Sequence, residues 1–237
     1  MSFKHKDIDV RDRLIFALDV PDVDSAKALV EELGDSVNFY KIGLELNMSG
    51  RYFELLDWLV AQGKKVFVDL KFFDVPATVA SAVRNLRDRG VTFATIHGNQ
   101  GIMEAAAEAK GDVKILAVTV LTSLDRGDLD DLGFDCDVGD LVLSRARRSL
   151  ESGCDGVISS GLELPALRGN VDDKLVVITP GIRPVENSAD DQKRVVTPEK
   201  AFEDGADYIV VGRPIRNADN PKAAAEAIQQ SIASVFA

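Results

Sequence analysis

The chain has 237 residues, 46% of them hydrophobic, and 28 basic against 39 acidic side chains for a formal net charge of −11. That length suits one large α/β domain or two small ones, with ample apolar material for a core that needs no disulfide support. The acidic balance argues against nucleic acid or an anionic membrane surface as partner, while leaving room for a small anionic ligand held by a few local cations.

Residues 1–13 form a polar, charged N-terminal extension without the apolar stretch of a signal peptide, and no apolar run approaches the ~20 residues of a membrane span. Residues 14–20 read as a buried strand ending in Asp19, broken by Pro21, and 22–33 as a helix stopped by Gly34. A second strand, 39–44, carries Lys41 inside it; 52–62 is helical with Phe53, Leu56, Leu59 and Val60 on its core face. The third strand begins at Lys65 and turns charged at Asp69 and Lys71, which share a side because strand residues alternate. Asp74 follows at the turn, and Pro76 suits the first turn of the next helix.

A fourth strand, 93–98, contains His97, and an alanine-rich helix spans 102–110. The fifth strand, 114–121, leads into a long acidic stretch, 122–137, expected as a solvated loop anchored by Leu129, Leu132 and Phe134. Helix 138–152, strand 156–161, a short helix at 163–168 and strand 175–181 follow. A polar loop, 182–196, precedes helix 198–204, strand 208–213 and the closing helix 221–235.

Strands alternating with helices imply a parallel sheet with right-handed crossovers. Eight such units in this length point to an α/β fold of the (β/α)8 TIM-barrel type as a single domain over 1–237. The alternative, an open doubly wound sheet, lacks its G-x-G-x-x-G after the first strand.

In such barrels the site lies at the C-terminal strand ends, where this chain collects its polar residues. Asp19 follows the first strand, Lys41 lies in the second, and Asp69, Lys71 and Asp74 belong to the third. Thr122 and Ser123 follow the fifth, Arg183 the seventh, and Gly212 and Arg213 end the eighth. Each alone has an ordinary explanation, such as a cap, a salt bridge or a strand terminus; together at one rim they form a candidate site. Gly212 and Arg213, with Pro180-Gly181-Ile182-Arg183 and Gln192, carry a phosphate-binding signal, because glycine admits close backbone approach and arginine offers a planar fork of donors. His97 reads as a structural histidine. Cys136, Cys154, His5 and His97 have no metal-ligand or redox spacing, so no metal site is expected and the thiols read as free in a reducing cytoplasm.

These residues, in this order and spacing, resemble the orotidine 5′-phosphate decarboxylase family: Ala17-Leu18-Asp19, Tyr40-Lys41-Ile42-Gly43, Asp69-Leu70-Lys71 through Asp74-Val75-Pro76-Ala77-Thr78, Leu121-Thr122-Ser123, Thr179-Pro180-Gly181-Ile182-Arg183, Asp191-Gln192 and Val211-Gly212-Arg213. The likeness runs from about Leu14 to the last helix. The Asp-x-Lys-x-x-Asp element is shared with a wider group of phosphosugar enzymes; Lys41 separates this chain from the hexulose-phosphate synthase and keto-gulonate-phosphate decarboxylase relatives, which usually carry Glu there. Phe72-Phe73 departs from the pair ending in His that many relatives place before the second Asp.

The resemblance implies a cytoplasmic, cofactor-free decarboxylase that converts orotidine 5′-monophosphate to uridine 5′-monophosphate and CO2, the last step of de novo pyrimidine synthesis. It assigns Lys71 as proton donor to C-6 and Asp69 to the departing carboxylate. Lys41 and Asp74 complete the charge network, with Asp74 and Thr78 reaching a neighbouring subunit's site in a homodimer. Asp19 and Lys41 hold the ribose, Thr122 and Ser123 meet the pyrimidine, and Arg183, Gln192, Gly212 and Arg213 hold the phosphate. A metal-dependent phosphosugar lyase and a non-enzymatic phosphate-ligand binding domain are the competing readings.

Overall fold

Eight parallel strands close into a barrel in chain order. They are β1 Leu14–Ala17, β2 Phe39–Ile42, β3 Lys65–Phe72, β4 Val91–His97, β5 Lys114–Val118, β6 Gly156–Ile158, β7 Val176–Thr179 and β8 Tyr208–Val211, with β8 pairing back onto β1. This computed structural model describes residues 3–184 and 195–237. Helices Val23–Leu33, Tyr52–Ala61, Pro76–Arg84, Gln100–Ala109, Val138–Glu151, Leu164–Asn170, Pro198–Glu203 and Pro221–Phe236 surround it, as the alternation of periods requires. Most strands end earlier than their apolar runs. The run after β1, for example, remains buried through Leu18 although the strand stops at Ala17.

Two core regions result. Residues facing the helices form the larger one, and the barrel interior forms the second, containing Ile15, Phe39, Phe67, Phe93, Ile178 and Tyr208. Inside the barrel the Phe93 ring lies 5.3 Å from Phe39, 5.2 Å from Tyr208 and 6.0 Å from Phe67 between centroids. Two residues further along their strands, and so on the same face, come Lys41, Asp69 and Thr95. The charged layer therefore rests on a buried aromatic floor.

At the opposite end, buried Asp207 accepts hydrogen bonds through Oδ2 from Lys6 Nζ at 2.9 Å, Arg168 Nη2 at 2.8 Å and the Val177 N–H at 2.9 Å. Arg13 donates to the Asp207 carbonyl at 3.1 Å and lies over the Phe236 ring at 4.0 Å, tying the N-terminal segment to the last helix.

Three expectations need correction. Residues 122–137 are not simply loop: Arg126–Asp131 is a helix, started by a reciprocal pair in which Asp125 accepts the Asp128 N–H and Asp128 accepts the Asp125 N–H. Leu129 anchors it at 1% exposure, whereas Leu132 points outward at 62%. In Tyr52–Ala61 the buried face is Tyr52, Leu55, Leu56 and Leu59; Phe53 is exposed beneath the Arg89 guanidinium, 4.8 Å from its ring centroid. Leu56 and Leu59 face the core as expected, and Tyr52 enters it in place of Phe53, its hydroxyl donating to the Ile42 carbonyl at 3.0 Å.

Candidate active site

β3 carries the central group and is irregular where it does so. It pairs with β4 as Val68↔Ala94 and then Phe72↔Ile96, so Asp69, Leu70 and Lys71 stand against Thr95 alone. This bulge breaks the simple alternation that placed Asp69 and Lys71 on one side. Lys71 instead adopts φ +49, a left-handed conformation that L-residues other than glycine hold at a cost of roughly 1–3 kcal/mol. The two side chains meet all the same: Lys71 Nζ lies 2.9 Å from both Oδ1 and Oδ2 of Asp69.

The charges then continue around the rim. Lys41 Nζ lies 3.6 Å from Asp69 Oδ2 and donates to Asp19 Oδ1 at 3.0 Å. Thr95 Oγ1 donates to Asp69 Oδ1 at 2.8 Å. Burial opposes ionisation of Asp69, but the Lys41 and Lys71 ammonium groups and the hydrogen bonds from Lys71 and Thr95 outweigh it and hold the carboxyl below its ordinary range. Burial likewise disfavours charge on Lys41, and the Asp69 and Asp19 carboxylates overcome it, so its affinity for the proton is raised. Both buried groups are thus kept ionised by each other.

A cavity of about 470 Å³ opens beside this chain of charges, lined by Asp19, Lys41, Glu45, Gly181, Arg183, Gly212, Arg213 and Arg216, among others. Gly181 has φ +77, which its turn between β7 and Arg183 requires. Gly212 caps the short helix Arg213–Arg216, and a methyl group there would press within 3.3 Å of Ala17 Cβ. Arg183 is 8% exposed and donates to the Ile182 carbonyl at 2.8 Å, which holds its guanidinium at the cavity wall.

The structure therefore brings Asp19, Lys41, Asp69, Lys71, Arg183, Gly212 and Arg213 together at one end of the barrel. Asp74 and Thr78 are exposed and line a separate groove of about 340 Å³ that also reaches Lys71. The Asp74 carboxylate accepts the Val75 N–H at 2.6 Å and stands outside the Asp19–Lys41–Asp69–Lys71 contacts of its own chain. Thr122 and Ser123 sit in the turn closed by Leu124 N–H to Leu121 O at 2.9 Å and do not line the 470 Å³ cavity. Gln192 lies outside the described residues.

Sequence reading missed Thr95, Glu45 and Arg216. Thr95 had a signal, as a polar residue in phase with inward-facing Phe93; Arg216 had one too, three residues after Arg213 on the same helical turn. His97 packs its ring 4.5 Å from Phe73, and burial, then Arg145 and Lys71, lower its proton affinity. Among the described residues no group of three or more His, Cys, Asp or Glu side chains is placed to hold a metal ion, and no helix is long and apolar enough to cross a membrane.

The fold and site define a (β/α)8 barrel whose ionised residues and arginine-lined cavity share the C-terminal rim of the strands. The chain belongs to the orotidine 5′-phosphate decarboxylase / HUMPS family, whose sequence profile matches residues 12–228. It is 68% identical to the orotidine 5′-phosphate decarboxylase of Methylococcus capsulatus over 98% of this chain and 97% of that one. It is 48% identical to the Nitrobacter winogradskyi protein of the same name over 100% and 99%. The crystal structure of orotidine 5′-phosphate decarboxylase from Lactobacillus acidophilus superposes with a TM-score of 0.81 at 36% identity, covering 93% of this chain and 99% of that chain.

Proposed function

We propose that this chain decarboxylates orotidine 5′-monophosphate to uridine 5′-monophosphate and CO2, the last step of de novo pyrimidine synthesis, as a cytoplasmic single-domain barrel without metal or organic cofactor. The observation that carries the reading is the Asp69 carboxylate held between Lys41 and Lys71 above an aromatic floor, beside an arginine-lined cavity. Lys41 favours the decarboxylase over the phosphosugar members of the family, and the named relatives agree.

Breaking the bond between C-6 and the carboxyl leaves an electron pair on a ring carbon with no electron sink, so its stabilisation must be electrostatic. The Lys71 ammonium faces that carbon and delivers a proton to it as CO2 departs; the resulting amine regains its proton from solvent. Asp69, against the substrate carboxylate, adds repulsion that disappears with CO2. Asp19 and Lys41 hold the ribose hydroxyls, and Thr122 and Ser123 meet the pyrimidine. Arg183, Gly212, Arg213 and Gln192 bind the phosphate, joined by Arg216 on the cavity wall. That remote binding energy is available at the transition state.

The functional unit in this reading is a homodimer in which Asp74 and Thr78 enter the neighbour's site. Their exposure supports it, as do the flanking Phe73 at 65% and Val75 at 62%, apolar side chains suited to burial by a second subunit. Neither nucleic acid nor a membrane is a partner in this scheme.

Loss of orotidine monophosphate absorbance in buffer treated with chelator tests the reaction. Steady turnover is expected; none from folded protein sinks the proposal. Turnover that vanishes with chelator and returns with a divalent metal would favour the metal-dependent lyase instead.

A further inference from the structure

The bulge in β3 leaves the Lys71 N–H without a regular ladder partner, because three residues of β3 face one of β4. Thr95 fills that gap from the neighbouring strand. Its Oγ1 accepts the Lys71 N–H at 3.0 Å and donates its single proton to Asp69 Oδ1 at 2.8 Å. The direction of both bonds follows from chemistry, since a carboxylate only accepts and an N–H only donates. Thr95 is fully buried, so water does not replace either bond in the native protein.

We infer that Thr95 is a positioning residue for the reaction: its hydroxyl staples the bulge, holding Lys71 in its left-handed conformation and Asp69 in the orientation that meets both lysines. Buried Thr119, for comparison, donates its hydroxyl to a main-chain carbonyl, that of Ile158 at 2.9 Å. At Thr95 both bonds cross to the one neighbouring segment that carries the proton donor and the carboxylate. A methyl group in place of the hydroxyl preserves volume while deleting both bonds. Released from the staple, Lys71 relaxes toward the ordinary β region, and its ammonium moves away from the reacting carbon.

The inference rests on the proposed decarboxylation only for its kinetic consequence, and the test separates the two. In Thr95→Val, kcat for orotidine 5′-monophosphate should fall about 10- to 100-fold with KM within about threefold, because the arginines and Asp19 that hold the substrate are untouched. Thr95→Ser, which keeps the hydroxyl, should stay within about threefold of the parent in both constants. Independently of any substrate, hydrogen exchange at the Lys71 amide should be slow in the parent and in Thr95→Ser and at least about tenfold faster in Thr95→Val. Thr95→Ala supplies the same exchange reading if the valine variant does not fold. Unchanged exchange in the variants lacking the hydroxyl overturns the staple, as does a Thr95→Ser protein as impaired as Thr95→Val. A parent that exchanges as expected but turns over no substrate removes the proposed function and leaves the staple standing.

Discussion

The Asp69 carboxylate takes Lys71 Nζ at 2.9 Å on each oxygen and has Lys41 Nζ 3.6 Å from Oδ2, so one buried anion holds two cations that would otherwise repel each other. Asp69→Asn removes that anion and leaves Lys41, 9% exposed, with Asp19 as its remaining partner. The variant should lose up to about 3 kcal/mol of stability and nearly all turnover. The lowered proton affinity of Asp69 sets the sign of the pH dependence. Its contribution is complete above the unfolded carboxyl value of about 3.9 and is lost as pH falls through the still lower folded value. Urea midpoints of the parent and Asp69→Asn should therefore differ at neutral pH and converge below about pH 4. Parallel curves at all pH values would contradict the pairing.

Lys71→Ala and Asp74→Ala should each be inactive alone. Mixed under conditions of proven subunit exchange, they should recover activity, because a hybrid dimer holds one site with neither substitution. Up to about a quarter of parental activity is expected from random pairing of equal amounts, since half the dimers are hybrids with one intact site of two. Failure of the mixture to recover would argue against shared sites.

Gly43 stands where a Cβ would approach Lys41 Nζ to 3.2 Å and Asp19 Oδ1 to 3.5 Å. Its φ of −118 and ψ of −160 suit any residue, so alanine meets no backbone penalty and only crowds the ion pair. Gly43→Ala should reduce kcat/KM about tenfold or more while shifting Tm by no more than a few degrees, measured by steady-state kinetics and calorimetry.

The two histidines make a clean spectroscopic pair. Burial, then the Arg145 and Lys71 charges, lower the His97 value below about 6.5; burial, then Arg13, lowers His5. Both should titrate below that value by NMR, and Lys71→Ala should raise the His97 midpoint while leaving His5 unchanged. A group neutral when folded contributes stability that is present at higher pH and lost as pH falls from about 6.5 toward the folded value.

Asp207→Ala removes the acceptor of three hydrogen bonds and leaves the Arg168 side chain, 6% exposed, without its carboxylate. A loss of about 3–5 kcal/mol is expected, seen as a Tm lower by about 6–20 °C. Because this network lies at the barrel end away from the charged rim, kcat measured well below Tm should remain near parental.

The alternating strand and helix pattern and the polar residues at the strand ends were enough to define the barrel and to select Asp19, Lys41, Asp69, Lys71, Arg183 and Arg213, since both signals are local. Buried parallel strands announce themselves as apolar runs, and a charge at the end of such a run is conspicuous. Phe53 escaped that logic, because an isolated helical pattern does not tell which of the adjacent Tyr52 and Phe53 the core will accept; Leu132 escaped it because it caps the end of a helix whose buried side is set by Leu129. The helix within 122–137 was legible in its capping residues, Asp125 and Asp128, but was masked by the surrounding acidity.

Chain alone, through its period of two, placed Asp69 and Lys71 on a common side; the tertiary structure unites them by another route. Closing β3 against β4 produced the bulge, turned Lys71 to φ +49 and brought in Thr95 from 24 residues away to hold it. The convergence of Arg183, Arg213 and Arg216 on one cavity likewise awaited closure of β7 and β8 onto β1. Side-chain alternation is a property of one strand, whereas register and bulges arise from how neighbouring strands pair around a closed barrel, and no local pattern encodes that.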